Sequence, residues 1–186
     1  MAGPSPGRTD GADDALDRLR RRVLWSMPTG LYVVGSRAER DGEVHANLMT
    51  ANLVVQVATE PKLVAVSVES AARTSALVEA GGCFAVSLLH RADRAVVRRF
   101  VKPVVDVTID DAGLPSSMAG EAVATAVTGA PVLERAAAWL DCVVRHQLGL
   151  GSHVLFVGEV VAVDGPDADE QWEVLRMEDT RMNYGG

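Results

Sequence analysis

Three short stretches of the sequence place small and polar side chains where a chain would bend or a helix would begin. Thr29 and Gly30 stand just before a β-branched run in "MPTGLYVV", and Arg73 and Thr74 open a helical pattern in "ESAARTSAL". The third stretch is "ANLMTAN", residues 46–52. A helix N-terminus offers free N–H groups and the positive end of its dipole, so an arginine beside it favours a phosphate as ligand. The pattern predicts a site for a phosphorylated cofactor.

Each of these stretches also has a purely structural interpretation. Thr74 can serve as a helix N-cap, a role worth about 1 kcal/mol by itself, and Arg73 beside it can be solvated. The residues of "ANLMTAN" can be the ordinary polar start of the strand "NLVVQVA". The residue types alone leave both interpretations open.

Several well-known catalytic and metal-binding motifs are missing from the sequence. It contains no G-x-x-x-x-G-K-[ST], no C-x-x-C and no H-E-x-x-H. The segment "GLGSHV" lacks the third glycine of a dinucleotide fingerprint and stands between two predicted strands. The four histidines share no helical spacing that suits a metal site, so no bound metal is predicted.

Composition favours a small-molecule partner over a nucleic acid. The chain has 186 residues, a net charge of −7 and 48% hydrophobic residues. Proteins that bind nucleic acids normally carry a basic face to neutralise phosphates. No apolar run approaches the ~20 residues that a membrane-spanning helix needs. We therefore expect a soluble protein that contacts neither nucleic acid nor membrane.

The cysteines and the N-terminus predict a cytoplasmic location. Cys83 and Cys142 each lie inside an apolar, strand-like run. This setting suits buried free thiols rather than the disulfide framework of a secreted protein. The first residues, "MAGPSPGRTDGADD", lack the apolar core of a signal peptide.

The elements that must position the candidate site are mostly strands. Residues 1–12 are predicted to be a disordered tail, followed by a single domain over residues 13–186 whose first element is an amphipathic helix from Asp13. Strands are predicted at "GLYVVGS", "NLVVQVA", "KLVAVSVE" and "CFAVSLL", and a long hairpin pair at "AAWLDCVVRHQLG" and "HVLFVGEVVAV". Asp41-Gly42 predicts a tight turn after the first strand.

Two short interior helices complete the prediction. The first, "RTSALVEAGG", begins at an N-cap Thr74 and ends at Gly81-Gly82; the second, "ADRAVVRRFV", ends before Pro103. Residues 106–130 have weak periodicity and are predicted to be loop, with one short strand around "VTID". Six or so strands joined mainly by turns predict a mainly β fold, an antiparallel barrel that is closed or nearly closed.

Five ordered blocks of the sequence resemble the flavin reductase-like domain of the FMN-binding split-barrel family. They are "MPTGLYVVGS", "HANLMTANLVVQVATEPKLVAVSVE", "RTSALVEAGGCFAVSLL", "LDCVV" and "GSHVLFVGEV". The resemblance extends over about residues 23–163 and implies an antiparallel Greek-key split β-barrel. The ending "VLRMEDTRMNYGG" resembles a subgroup with ferric-reductase-like and flavoredoxin-like members.

The resemblance implies an oxidoreductase that transfers a hydride from NADH or NADPH to a bound flavin. FMN is the expected flavin, with FAD as the alternative, and the reduced flavin would serve a partner monooxygenase or a ferric acceptor. A homodimer is also implied. Another class of function stays open, a flavoprotein electron carrier that a protein partner reduces without nicotinamide turnover. A third hypothesis is a ligand-binding barrel, for haem for example, that holds no flavin.

The resemblance also implies roles for individual residues. Residues on which the flavin is expected to lie are Thr29, Gly30, Asn47, Leu48, Met49, Thr50, Ala51 and Asn52. Fixed donors beside the ring would stabilise the negative charge that develops on reduction, typically by ~3 kcal/mol each. Arg73 and Thr74 are expected to hold the 5′-phosphate. His153 is expected on the nicotinamide side as the catalytic residue, although Ser152 stands before it where the family often has aspartate.

Overall fold

A computed structural model describes residues 10–167 and 169–182 of the chain. Most of the predicted disordered tail, residues 1–9, lies outside the described residues. Helix α1 (Asp10–Trp25) begins before the predicted Asp13 and ends before Pro28. No helix in the described ranges is both long enough and apolar enough to cross a bilayer.

The larger of two sheets is antiparallel throughout and curls towards itself. Its strands are β1 (Tyr32–Arg40), β2 (Glu43–Ala51), β3 (Val54–Thr59), β4 (Lys62–Glu69), β5 (Cys83–Leu88), β10 (Ala138–Gly149) and β11 (His153–Asp164). Their spatial order is β2-β1-β5-β10-β11-β4-β3. Since β2 and β3 are consecutive in sequence yet form the two edges, the sheet must bend around an interior. The predicted mainly β, barrel-like fold is confirmed.

The tight turn predicted between the first two strands is also confirmed. Arg40 pairs with Glu43, so Asp41 and Gly42 form a two-residue loop. Both have positive φ, 53° and 78°, as the type I′ turns favoured in hairpins require. The long predicted hairpin corresponds to β10 and β11, which pair along most of their length.

The segment predicted to be the polar start of a strand is a strand in its own right. Residues 43–51 form β2, the chain turns at Asn52 and Leu53, and β3 begins only at Val54. The Leu53 carbonyl at this corner accepts the N–H of Ser67. Local propensity disfavours Asn in strands, but tertiary hydrogen bonds satisfy the polar side chains of β2 and override it.

The segment 106–130 is more ordered than predicted. It holds three strands of a small second sheet, and a fourth strand follows it: β6 (Val107–Ile109), β7 (Pro115–Met118), β8 (Glu121–Thr125) and β9 (Pro131–Leu133), in the order β6-β7-β8-β9. The predicted strand at "VTID" is β6. Strands of three to five residues are too short to show a clear alternation, which explains why the sequence indicated loop.

The two predicted interior helices differ in outcome. Helix α2 (Arg73–Gly81) exists, and Gly82 ends it in the left-handed conformation, at φ 64°. Its N-cap is Ala72 rather than Thr74, and no side chain caps it. The second predicted helix consists of two 3-10 segments, Arg91–Asp93 and Val96–Phe100. Over so few residues, the spacing of apolar residues in the sequence does not distinguish a 3-10 helix from an α-helix.

The two largest of three apolar clusters among the described residues hold most of these elements together. The barrel interior is filled by residues that include Val34, Val66, Phe84, Cys142 and Phe156. The other cluster joins β1 and β2 to the second sheet and to the C-terminal segment, through residues that include Leu31, Leu48, Phe100, Leu133 and Leu175. Cys83 and Cys142 are buried free thiols, as predicted, and burial raises the pKa of Cys142 to about 12.

Candidate functional site

A groove of about 1010 Å³ opens at the end of the barrel where β1 begins and β5 ends. Thr29, Gly30 and Asn52, all predicted site residues, line it together with Tyr32 and Leu53. Ligand pockets for small molecules and cofactors typically measure about 300–1,000 Å³. The groove is therefore large enough for a cofactor-sized ligand.

The C-terminal segment Val174–Met182 forms one wall of this groove, which we call the C-terminal wall. It is fixed by backbone hydrogen bonds: Leu31 donates to Leu175 at 3.0 Å, Leu175 donates to Leu89 at 2.9 Å, and Met177 donates to Thr29 at 3.1 Å. Sequence reasoning missed this wall. The available signal was the apolar Val174-Leu175 pair in an otherwise charged stretch.

Tyr32 sets the shape of the groove floor beside Gly30. A Cβ on Gly30 would lie 2.2 Å from the Tyr32 hydroxyl oxygen, so a larger residue there would displace the ring. Tyr32 also borders an apolar cavity of about 410 Å³ inside the barrel. Burial raises the pKa of its phenol.

A second group of predicted residues meets where α2 begins. Asn47 Nδ2 donates to Thr74 Oγ1 at 2.9 Å, and the N–H of Val104 donates to Asn47 Oδ1 at 2.8 Å. The Arg73 guanidinium donates to the Val104 carbonyl at 3.1 Å. Asn47 is only 3% exposed. Its amide therefore ties β2, α2 and the loop at Val104 together and is not directed at an open surface.

The remaining predicted residues of β2 have side chains in the protein's own core. Leu48 and Thr50 are fully buried, Ala51 nearly so, and Met49 packs against the barrel cluster. The Thr50 hydroxyl donates to the Val97 carbonyl. Of these residues only Met49 is partly exposed, so Leu48, Thr50 and Ala51 offer a ligand no open face.

His153 lies away from the residues that line the groove. It is the first residue of β11, and its Nδ1 lies 2.9 Å from Ser152 Oγ. The Ser152 carbonyl accepts the N–H of Ser70, in the loop that leads from β4 to α2. The structure thus places His153 at the side of the barrel that carries the start of α2.

Metal-binding side chains do not cluster in the part of the chain that the structure describes. Across residues 10–167 and 169–182, no group of three or more His, Cys, Asp or Glu side chains could hold a metal ion. The candidate site consists instead of the groove and the network at the start of α2.

Comparison with known proteins gives a match over most of the chain. The family model described as "Flavin reductase like domain" matches residues 24–184. The NADH-dependent flavin reductase StyB of Pseudomonas fluorescens is 32% identical over 168 residues, which span 90% of this chain and 90% of StyB. The match includes both the groove and the C-terminal wall.

Solved structures share the architecture as well. The styrene monooxygenase flavin reductase SMOB of Pseudomonas putida S12 has a TM-score of 0.62 at 29% identity, covering 78% of this chain and 87% of that one. The NADH:FAD oxidoreductase SgcE6 of Streptomyces globisporus C-1027, in complex with NAD and FAD fragments, has a TM-score of 0.66 at 27% identity, covering 97% and 98%. These similarities confirm the split-barrel prediction.

Proposed function

This chain belongs to the family of flavin reductase like domains, and on that premise we propose that it transfers a hydride from NADH to FMN. When bound, the flavin accepts the hydride that the reduced nicotinamide gives up, so the nicotinamide is oxidised and the flavin is reduced. The observation that carries the proposal is the groove that brings Thr29, Gly30 and Asn52 together in a chain matched along 90% of a named reductase.

The groove residues fit the needs of a flavin ring. Gly30 leaves room for the Tyr32 ring that forms the floor, the Asn52 amide can hydrogen-bond a polar ring edge, and Leu53 and Leu88 supply apolar surface that excludes water. Hydride transfer needs donor and acceptor atoms held within about 3.5 Å, and it needs no side-chain acid or base. In this proposal the chain contributes alignment and exclusion of water.

For the flavin phosphate we propose the start of α2. Arg73 uses one nitrogen on the Val104 carbonyl, and a guanidinium has five N–H donors in all. The first turn of α2 adds free backbone N–H groups beside it. In this proposal β2 connects the two parts of the site, since its Asn47 contacts Thr74 and Asn52, just beyond its end, lines the groove.

We propose His153 as the residue on the nicotinamide side. Its support is the sequence block "GSHVLFVGEV" and its position near the loop that leads into α2. The contact with Ser152 Oγ holds the imidazole in one orientation.

The fate of the reduced flavin follows by analogy with the relatives. SMOB is described as the flavin reductase of a styrene monooxygenase, and we propose a separate monooxygenase as the acceptor for this chain too. Relatives named as reductases favour catalysis over a passive electron carrier.

The buried free thiols of Cys83 and Cys142 support a cytoplasmic location.

We further propose a homodimer. Helix α1 exposes an apolar stripe of Leu16, Leu19, Val23 and Leu24, each 44% to 60% exposed. The corner and edge strand β3 expose Leu53, Val55 and Val57 to a similar degree. Apolar patches of this kind commonly mark protein interfaces, and a second copy of the chain would bury both.

The deciding experiment is anaerobic mixing of the purified protein with FMN or FAD and with NADH or NADPH, monitored at the visible absorbance band of the flavin. We expect catalytic bleaching by NADH. Bleaching by neither nucleotide would contradict the reductase proposal. Reduction limited to one equivalent of tightly held flavin would indicate an electron carrier instead.

A further inference from the structure

We propose that the groove binds the pyrophosphate of a dinucleotide through Arg176 and Arg181 of the C-terminal wall and Arg21 of α1. This inference rests on the proposed flavin reductase function and identifies the part of its substrates that the groove holds. The chemistry is that of two linked phosphates. NADH and FAD both contain this group, whereas FMN does not.

The charges that line the groove are the opposite of the charge of the whole chain. The chain carries a net charge of −7. Among the described residues that line the groove, three arginines, Arg21, Arg176 and Arg181, stand against a single carboxylate, Glu178. Like charges gathered in a cleft concentrate the local potential and attract ligands of opposite charge. An anionic ligand is therefore the natural occupant.

The arginines of the C-terminal wall stand on a fixed backbone. Arg176 forms a β-bridge with Gly30, and its N–H donates to Asp179 Oδ2 at 3.0 Å. Asp179 is in turn held by Arg91 Nε at 2.7 Å. The Arg176 side chain therefore starts beside Gly30, where the flavin is proposed to lie. A site held in place before binding loses less entropy when the ligand arrives.

The guanidinium groups are available to a ligand. Arg176 pairs with Glu178 at 3.5 Å, and both side chains are about 70% exposed (70% and 71%). Arg21 pairs with Asp17 across one helical turn at 2.8 Å, also in an exposed position. Exposed pairs of this kind contribute little to stability. Arg21 and Arg176 can each exchange the carboxylate for a phosphate and form two parallel hydrogen bonds with it.

The arrangement suits two linked phosphates and an attached nucleoside better than one phosphate. Arg21 belongs to α1 and the other two arginines to the C-terminal wall, so an anion that contacts all three has to bridge two separate segments. The groove is about 1010 Å³ and also presents Trp25, Met27 and Met182, which offer apolar and aromatic surface to a base. The flavin's own terminal phosphate already has a separate candidate partner in Arg73.

The test uses the full chain and the double variant Arg176→Gln/Arg181→Gln, with Arg21→Gln as a second variant. Arg94→Gln, at an exposed arginine that does not line the groove, is the matched control. Replacing these side chains leaves the backbone contacts of the wall in place. Steady-state reduction is measured with NADH and with N-benzyl dihydronicotinamide, a hydride donor without phosphates, each with FMN and with FAD. Calorimetric binding of NAD⁺ and of FAD accompanies the kinetics.

We expect the double variant to raise the KM for NADH on the order of tenfold at unchanged kcat, because charge-assisted hydrogen bonds are lost. The phosphate-free donor should be unaffected. A rise in the KM for FAD, with those for FMN and NADH unchanged, would also support the site and assign it to the flavin's pyrophosphate. The control should behave as the unmodified protein.

Two results would overturn the inference. One is unchanged KM and binding constants for both NADH and FAD in the double variant. The other is an equal loss when the phosphate-free donor reduces FMN, a reaction without any pyrophosphate, or an equal loss in Arg94→Gln; either would show a general structural or electrostatic effect. Because the calorimetry does not depend on turnover, it tests the groove even if the unmodified protein reduces no flavin. Failure of the reductase proposal and failure of this inference are therefore distinguishable.

Discussion

At the scale of single residues, the buried amide of Asn47 stands out. A polar side chain inside a protein is costly unless its hydrogen bonds are made, and Asn47 makes them with Thr74 and Val104. Val104 is held twice, through its N–H by Asn47 and through its carbonyl by Arg73. The orientation of Arg73 thus depends on a residue that is itself out of reach of solvent.

Asn47→Ala should lower the free energy of unfolding by about 2 kcal/mol, since it leaves the buried Val104 N–H without its partner. If Arg73 binds the flavin phosphate, the KM for FMN should also rise more than the KM for riboflavin, which has no phosphate. Denaturant titration and steady-state kinetics measure the two effects. The control is Gln56→Ala, an exposed amide that bonds the Ala58 carbonyl, for which we expect almost no change. Equal rises for FMN and riboflavin would contradict the link to the phosphate.

The Cys142 thiol should make the protein less stable at alkaline pH. Its pKa is raised to about 12 in the folded state, whereas an unfolded cysteine titrates near 8.5–9. Below that range both states hold the proton; as the pH rises, only the unfolded state loses it, and folding becomes less favourable. Between pH 7 and pH 10 we expect a loss on the order of 1–2 kcal/mol from this group. Urea unfolding of the protein and of Cys142→Ala at both pH values should show a weaker pH dependence in the variant.

At the scale of elements, the hairpin of β10 and β11 crosses a closely packed part of the barrel interior. A Cβ on Gly158 would lie 2.6 Å from a Phe84 ring carbon and 2.8 Å from Cys142 Cβ. Gly149, near the tip of the same hairpin, has no such neighbour within 4 Å. An added methyl group would therefore collide with its neighbours at Gly158 and meet open space at Gly149.

Gly158→Ala should destabilise the protein by about 1–3 kcal/mol, because a packed core accommodates an added methyl group only by shifting its neighbours. Gly149→Ala should leave the melting temperature nearly unchanged. Thermal unfolding of both variants, followed by circular dichroism, makes the comparison. If the melting temperature of Gly158→Ala equals that of the parent, the interior around Gly158 has room for an added methyl group.

Elements with a strong local pattern could be predicted from the sequence, and those shaped by distant partners could not. The Asp41-Gly42 hairpin and the β10–β11 pair follow from turn chemistry and alternation. Strand β2 was mistaken for a polar strand start because the partners of Asn47 and Thr50 lie more than twenty residues away. The C-terminal wall was missed for a similar reason, since its order comes from backbone bonds to Thr29, Leu31 and Leu89.

For the candidate site, residue types indicated Thr29, Gly30 and Asn52, while the arginines opposite them become visible only in the fold.

At the scale of the whole molecule, the exposed apolar surfaces of α1 and β3 concern assembly. They lie on two different elements of one chain. In a symmetric dimer, α1 of one copy can pack on β3 of the other, and symmetry repeats the same contact. Burying such surface contributes roughly 25 cal/mol per Å², so a charge placed within it should weaken association.

Val55→Glu should shift the protein from dimer to monomer, because Val55 is 60% exposed on an edge strand and a buried carboxylate there would lack a partner. Size-exclusion chromatography with light scattering measures the mass. The control is Thr59→Glu at the end of the same strand. A monomeric parent protein, or a Val55→Glu variant that remains dimeric, would contradict the proposed assembly.

The order of strands in the larger sheet has a consequence for how the protein is made. The last long hairpin, β10 and β11, inserts between β5 and β4, which precede it by many residues. In a nascent chain, the edges of β5 and β4 that receive this hairpin therefore have no partner until residue 164 has been synthesised. Pairings that distant in sequence slow the search for the native state, so this barrel should depend more on protection during synthesis than a helical protein of equal length.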